Sequence, residues 1–206
     1  MGHRGDVLED LILITNEFYK EQGYAQVDKI ATPVKVMELN ERKQVTLGYF
    51  DKKSTVDFLG VAQGLAIAFD AKETNQLSFP LSNIHKHQLD YMESFNAHGG
   101  YAFVILHFKK KDEYYLLSID LINHFLKEAE AGGRKSIPYE AMKDAIPIPL
   151  FNGRYLNYLE AVNVLIEKRQ KASLLWVWLC STFLFYFPAI LIKASWSLKK
   201  SSGLKV

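Results

Sequence analysis

The sequence predicts an α/β fold in which helices flank a mixed central β-sheet. Two observations lead to this prediction. Segments with the alternating apolar residues of β-strands are grouped in the middle of the chain, between about residues 56 and 118. Helical patterns with capping residues and terminal glycines lie before and after them. With 206 residues the chain can bury the core of one full domain and still carry an appendage.

The N-terminal part predicts one helix followed by short extended segments. Asp6 and Glu9 resemble a capping box, apolar residues then recur at helical spacing, and Gly23 ends the helix. Val34 and Val36 alternate as in a short strand. Residues 37–45 are polar and predict a flexible, irregular stretch, and an extended pattern returns at residues 46–50.

The central feature is a predicted β-hairpin with charged residues at its open end. Strand-like residues lie on both sides of 62–64, which has the sequence of a tight turn. Antiparallel pairing about that turn brings Asp57 close to Asp70. Because side chains alternate along a strand, Asp70 and Lys72 share one face, and Thr55 and Asp57 share one face. We therefore expect two carboxylates and an ammonium to converge at one end of the hairpin.

This combination of charges is typical of a divalent metal site. Two neighbouring carboxylates repel each other unless a cation or a shared proton relieves them. Oxygen ligands of this kind suit Mg²⁺ or Mn²⁺, and a hard divalent ion beside Lys72 suits hydrolysis of a phosphodiester. In the alternative interpretation Asp57 caps a turn, and Asp70 and Lys72 are solvated on an edge strand.

The elements after the hairpin are predicted from caps, periodicity and glycine stops. They are a helix capped by Ser82 or Asn83 that runs to Phe95, strands at 101–108 and 113–118, a helix at 119–131, and a final helix at 155–168.

Several segments resemble the RecU-type Holliday junction resolvases of Gram-positive bacteria, which belong to the PD-(D/E)xK nuclease group. The likeness covers about residues 4 to 168. The family usually has Glu at the position of Asp70, and here the segment between Lys72 and Phe79 is shorter than usual. The segments that carry the resemblance are Arg4-Gly5, 23–35, 54–60, 68–74, 79–88, 99–103 and 148–159.

The resemblance implies a restriction-endonuclease-like fold and a Mg²⁺-dependent endonuclease that nicks four-way junction DNA symmetrically as a homodimer. It also implies a cytoplasmic protein that works with a recombinase or a branch-migration helicase. The resemblance also suggests that Glu9 lies near the metal site, whereas the residues alone suggest that it caps the first helix. The metal ligands would be Thr55, Asp57, Asp70 and Gln88, and the catalytic residues would be Asp57, Asp70 and Lys72.

In that family a projecting stalk enters the centre of the junction. Here the stalk would comprise about residues 33–53, whose basic and aromatic side chains suit unstacked bases. From composition alone this segment would be only a hairpin. The predicted DNA-binding residues are Lys35, Arg42, Lys43, Tyr49, Phe50, Lys52 and Lys53.

The charge balance differs between the body and the tail. The whole chain is +2, but residues 171–206 hold five lysines and no acids, so the rest has 20 basic against 23 acidic residues. A nucleic-acid-binding body without a positive total must concentrate its positive charge locally. The single cysteine, Cys180, excludes an internal disulfide.

The tail contains an uncharged stretch at residues 172–192 that would span about 30 Å as a helix. Lysines lie on both sides of it, so the positive-inside rule does not orient it. Three interpretations stay open: a membrane anchor, a hydrophobic helix that packs on a partner, and read-through of an altered frame. We predict a nuclease domain at 1–170 and a separate tail at 171–206.

Two other functions compete with the metal-dependent endonuclease. The carboxylate of Asp70 is one methylene closer to the backbone than that of a Glu would be. Because metal sites tolerate misplaced ligands poorly, this difference would suit a junction-binding protein with weak catalysis. A membrane-anchored scaffold with a nuclease fold would account for the tail.

Overall fold

The computed structural model describes residues 7–50 and 55–183, with side chains up to residue 172. The chain divides into two compact units, Met1–Glu167 and Lys168–Val206. Four helices are described: α1 (Val7–Glu21), α2 (Lys86–Ala97), α3 (Ile119–Glu130) and α4 (Tyr158–Phe183). The strands are β1 (Ala25–Lys29), β2 (Val34–Leu39), β3 (Val45–Phe50), β4 (Phe58–Ala62), β5 (Leu65–Thr74), β6 (Ser78–Pro80), β7 (Tyr101–Phe108), β8 (Glu113–Ser118), β9 (Ser136–Pro138), β10 (Ile146–Pro147), β11 (Leu150–Phe151) and β12 (Tyr155–Leu156).

A six-stranded mixed sheet is the centre of the first unit, which confirms the predicted α/β class. Its strand order is β1-β4-β5-β7-β8-β10. Only the β5–β7 pair within it is parallel, and β7 is reached through α2, as a parallel crossover requires. The three other pairs, β2–β3, β6–β9 and β11–β12, form small separate sheets.

The two faces of the sheet pack into two apolar cores. Ile67, Phe69 and Ala71 of β5 lie in the core that also contains α1 residues and the start of α4. Ala68 lies in the other core, with residues of α2 and α3. Because β5 is covered on both faces, a polar side chain on it is buried unless it lies at a strand end.

The β4–β5 hairpin has the predicted turn. Ala62 pairs with Leu65, and the two residues between them, Gln63 and Gly64, have φ values of 49° and 84°. Positive φ at both central positions is the signature of a type I′ turn, whose twist matches that of the flanking strands. This turn fixes the register of the whole hairpin.

Two predicted helix boundaries are wrong. The second helix begins at Lys86, because residues 81–83 form a separate 3₁₀ turn and His85 has extended backbone with ψ 136°. The final helix begins at Tyr158 instead of residue 155, because Tyr155 and Leu156 pair with Leu150 and Phe151 in a short hairpin.

The predicted stalk is a two-stranded ribbon of β2 and β3, with a bulge near Met37. Every residue from 31 to 50 is exposed. The polar stretch expected to be irregular is shorter than predicted, because β2 continues to Leu39 and Asn40 closes a tight turn by accepting hydrogen bonds from the amides of Arg42 and Gln44.

In the described part of the chain, no helix is both long and apolar enough to cross a bilayer. The end of the uncharged stretch, residues 184–192, lies outside the described residues.

Candidate metal centre

The open end of the β4–β5 hairpin brings Asp57 and Asp70 into contact. The register pairs Phe58 with Phe69, so the two acids are the next facing positions. The backbone amide of Asp57 donates to Oδ1 of Asp70 at 3.0 Å, and the amide of Ala71 donates to Oδ2 of Asp57 at 3.0 Å. Each carboxylate is therefore held by the backbone of the opposite strand.

Asp70 is almost completely buried, and its charge is costly there. Its side chain is 1% exposed. Burial, and then the nearby charge of Asp57, raise the pKa of Asp70 from 3.8 to about 6, although Lys72 acts in the opposite direction. This site favours a further positive charge beside the two acids.

Lys72 and Gln88 complete the cluster from two different elements. The ammonium of Lys72 lies 3.1 Å from Oδ2 of Asp70 and donates to Oε1 of Gln88 at 3.5 Å. Gln88 is buried in the first turn of α2, so the helix that covers this face of the sheet brings its amide oxygen to the ammonium that contacts Asp70.

The donor set fits a hard divalent ion such as Mg²⁺. The donor atoms are oxygens from two carboxylates and one amide. The ammonium of Lys72 already contacts the oxygens of Asp70 and Gln88, so positive charge is stable at this position. Within residues 7–50 and 55–183, no group of three or more His, Cys, Asp and Glu side chains suits a metal. Thr55 is exposed, two residues before Asp57, and its role as a ligand stays a prediction.

Lys29 is a neighbour of the site that the sequence alone did not indicate. It lies opposite Phe58 on the edge strand β1, and the next amide, that of Ile30, donates to the carbonyl of Asp57 at 2.8 Å. Its ammonium meets Oε2 of Glu9 at 2.5 Å. The hydrogen bond that Lys29 donates to Glu9, and more weakly the charges of Glu9 and Asp57, raise the pKa of Lys29, although burial acts in the opposite direction.

The same contact bears on the two interpretations of Glu9. The Glu9 side chain reaches across to β1, and Glu73 instead accepts the hydrogen bond from the first-turn amide of Leu8. Glu9 therefore lies close to the end of the hairpin that carries the acids. Asp6, the other half of the predicted capping box, is outside the described residues.

The predicted DNA-binding residues lie along the stalk, apart from Lys52 and Lys53, which are outside the described residues. Lys35 pairs with Tyr49 across the ribbon, so both side chains are on one face. Arg42 and Lys43 are in the turn at the tip. Their contact with DNA stays a prediction.

Comparison with known proteins gives consistent matches. The family profile described as Recombination protein U matches residues 3–164. The protein named Holliday junction resolvase RecU from Geobacillus kaustophilus (strain HTA426) is 41% identical over 168 residues, which cover 79% of this chain and 84% of that protein. The protein of the same name from Geobacillus sp. (strain WCH70) is 43% identical over 142 residues, which cover 66% of this chain and 71% of that protein.

A solved structure was also found. It is described as Hjc of Archaeoglobus fulgidus, a Holliday junction resolvase from an archaeal hyperthermophile, and matches with a TM-score of 0.39 and 11% identity over 64% of this chain and 90% of that chain. The profile match covers the hairpin with Asp57 and Asp70 together with α1, α2 and α3. The chain therefore belongs to the RecU family.

Proposed function

We propose that this chain is a Mg²⁺-dependent endonuclease that resolves Holliday junctions. The observation that carries the proposal is the pairing of Asp57 with Asp70 at one end of a hairpin, where Lys72 contacts both Asp70 and Gln88. The relatives named Holliday junction resolvase support the choice of substrate, since they cover most of this chain at about 40% identity.

The two acids and Gln88 would hold the ion, with Thr55 as a further ligand. When bound, Mg²⁺ would supply positive charge that activates a water molecule and neutralises the phosphate under attack. Burial matters here, because a charge interaction in a site that excludes water is stronger than the same interaction in solvent. The hydrogen bonds from the Asp57 and Ala71 amides fix both carboxylates before the substrate arrives.

Lys72 would orient the attacking water or stabilise negative charge on the phosphate. Its side chain is only 18% exposed, and its contacts with Asp70 and Gln88 leave its ammonium little freedom to move. A donor that is already in position needs no reorganisation when negative charge develops, which is the main advantage of such groups in catalysis.

Symmetric resolution would need two copies of this site, and we propose a homodimer for this reason. Junction selectivity would come from the stalk and from contacts with the DNA backbone, with limited reading of base sequence.

The test compares Asp57→Asn with the natural chain on a synthetic four-way junction with Mg²⁺. We expect incision to be lost, because the change removes a ligand of the metal ion. Junction binding should be retained, because Asp57 is not part of the stalk. Asp28→Asn is the matched control, since Asp28 is an exposed acid on the neighbouring strand β1. Full incision by Asp57→Asn would rule the proposed site out.

The second candidate is a junction-binding protein with weak catalysis, and the short side chain of Asp70 favours it. Against it, Oδ1 and Oδ2 of Asp70 still reach the Asp57 amide and Lys72. Titration of Mg²⁺ and Mn²⁺ into the junction assay separates the two candidates, with Asp70→Glu in parallel. Incision only by the Asp70→Glu variant would establish the binding protein.

A further inference from the structure

Glu73 is a buried acid that the metal centre does not use. It follows Lys72 in β5 and therefore lies on the opposite face of the sheet. Its side chain is 8% exposed and both of its oxygens are engaged. Oε1 accepts a hydrogen bond from the Leu8 amide at 3.0 Å and lies 3.3 Å from Nδ1 of His107, and Oε2 pairs with the ammonium of Lys109.

The contact with Leu8 fixes the beginning of α1. The first amides of a helix have no partner within the helix, and a carboxylate is favourable at that end of the helix dipole. Glu73 supplies this carboxylate from the sheet, 65 residues further along the chain. Because Leu8 is itself fully buried, the first turn of α1 is held against β5 by packing and by this hydrogen bond together.

The same first turn carries a carboxylate that contacts the edge strand β1. Glu9 follows Leu8 directly, and its Oε2 holds the ammonium of Lys29 at 2.5 Å. Lys29 lies on β1 opposite Phe58, the residue after Asp57. A continuous series of contacts thus runs from Glu73 through the first turn of α1 to Lys29, on the strand whose backbone adjoins Asp57.

We propose that Glu73 is a positioning residue for the cleavage reaction: it fixes the first turn of α1, which holds the Glu9–Lys29 pair where the Lys29 ammonium can meet a DNA phosphate. The inference rests on the proposed function. Lys29 keeps 44% of its side chain exposed, so it remains accessible to a ligand while Glu9 limits its rotamers.

The two oxygens of Glu73 have separable roles, which makes the proposal testable. The bond from the Leu8 amide needs only an oxygen acceptor, whereas the pair with Lys109 needs a negative charge. Glu73→Gln therefore keeps the first contact and loses the second. Glu73→Ala loses both, and Glu73→Leu loses both while it fills the buried volume.

The experiment measures kcat and KM for junction cleavage, and the melting temperature, for these three variants. All three should melt earlier than the natural chain. Glu73→Gln should keep kcat/KM within about threefold, whereas Glu73→Ala and Glu73→Leu should lose about tenfold or more, since small misplacement at an active site is costly. A purely structural role would make the loss of activity follow the loss of stability in all three.

A double-mutant cycle with Glu9→Gln tests the route of the effect. Glu9→Gln should lower kcat/KM in the natural chain and have little further effect in the Glu73→Leu background, because residues that act through one another are not additive. Glu128→Gln is the matched control, since Glu128 is an exposed acid that pairs with His124 on α3.

Three results would overturn the proposal: natural activity in Glu73→Leu, equal losses in the Gln and Leu variants, or an unchanged cost of Glu9→Gln in the Glu73→Leu background. Each of these results is compared with the cleavage activity of the natural chain, which must itself be active. Failure of the natural chain to cleave at any Mg²⁺ concentration would instead reject the proposed function.

Discussion

Asp70 shows how one residue can be unfavourable for folding and suited to metal binding. Its pKa in the folded state, about 6, lies above the ordinary value of 3.8. Between these two values the native state binds more protons than the unfolded state, so the free energy of unfolding falls as pH rises through that window. The full effect is about 3 kcal/mol at neutral pH. A bound divalent cation would compensate this cost.

We therefore predict that Asp70→Asn stabilises the metal-free protein at pH 7 and has little effect near pH 4. Asparagine resembles the protonated acid, so the difference between the variant and the natural chain should grow as pH rises towards the pKa of Asp70, about 6. Urea unfolding at several pH values in EDTA measures it.

Added Mg²⁺ should reverse the order of stability at pH 7, because a ligand that binds only the native state raises its stability. Asp90→Asn controls for the loss of one charge, since Asp90 is an exposed acid that pairs with Lys86. If Asp70→Asn were less stable than the natural chain at pH 7 without metal, burial of the charge would not be the dominant effect.

Among the elements, the β1–β4 pair depends on the absence of a side chain at Gly60. A Cβ atom there would lie 2.1 Å from the carbonyl oxygen of Gln26 and 2.6 Å from Cα of Val27. Both atoms belong to the backbone of β1, which cannot move without changing the pairing that places Lys29 opposite Phe58, the residue after Asp57. The close approach of these two strands is thus linked to the geometry of the site.

Gly60→Ala should destabilise the protein by roughly 1 to 3 kcal/mol, the range for overpacking a well-packed site. It should also lower the rate of incision, because β1 has to shift. Val61→Ala, one position later, is the control: Val61 is 50% exposed, and we expect a change of roughly 0.5 kcal/mol or less. Denaturant unfolding and junction cleavage measure both effects, and equal stability of Gly60→Ala and the natural chain would contradict the prediction.

At the level of the stalk, Lys35 and Tyr49 should contribute differently to junction binding. They face each other on one side of the β2–β3 ribbon. Lys35→Ala should reduce the slope of log affinity against log salt by about 1, since a phosphate contact releases counterions. Tyr49→Ala should cost about 1 to 3 kcal/mol of affinity with no change in that slope, because stacking on a base carries no charge.

Binding of the Asp57→Asn protein to a labelled junction at several salt concentrations makes this measurement without cleavage. Thr46→Ala provides a control on the same exposed ribbon. Unchanged affinity in both Lys35→Ala and Tyr49→Ala would place the DNA elsewhere on the molecule.

For the molecule as a whole, the sequence predicted what depends on neighbouring residues and missed what depends on distant ones. The contact between Asp57 and Asp70 followed from a two-residue turn and strand alternation, both of which are local. The strand β1 and its Lys29 were not predicted, because an edge strand with a polar face has little apolar periodicity. The Glu73–Leu8 contact joins residues 65 apart, and no sequence spacing indicates it.

The resemblance supplied the remaining part of the site. Gln88 lies 16 residues from Lys72, and helical periodicity alone does not indicate that the two side chains meet. The predicted start of the final helix was wrong for a tertiary reason: the β11–β12 hairpin takes Tyr155 and Leu156 out of that helix. The helix propensity of a segment does not show whether a distant segment will pair with it as a strand.

Which part of the chain is needed for activity can be tested with two truncations. The family profile ends at residue 164, and the first turns of α4 bury Tyr158, Ala161 and Val162 in the core that also contains Phe69. Tyr158 donates a hydrogen bond to Oδ1 of Asn16 at 2.7 Å. We propose that the enzyme domain includes this part of α4 and none of the uncharged stretch.

A chain that ends at Lys171 should therefore fold and cleave junctions at a rate similar to the full chain. A chain that ends at Asn157 should fail to fold, because it exposes the core that Tyr158, Ala161 and Val162 cover and leaves the buried Asn16 without its tyrosine partner. Loss of a fully buried aromatic residue alone costs about 3 to 5 kcal/mol, a large share of the stability of a domain. Circular dichroism melts and the junction assay measure both chains. If the chain ending at Lys171 were folded but inactive, residues after 171 would have a catalytic task, and the proposed division into enzyme and tail would be wrong.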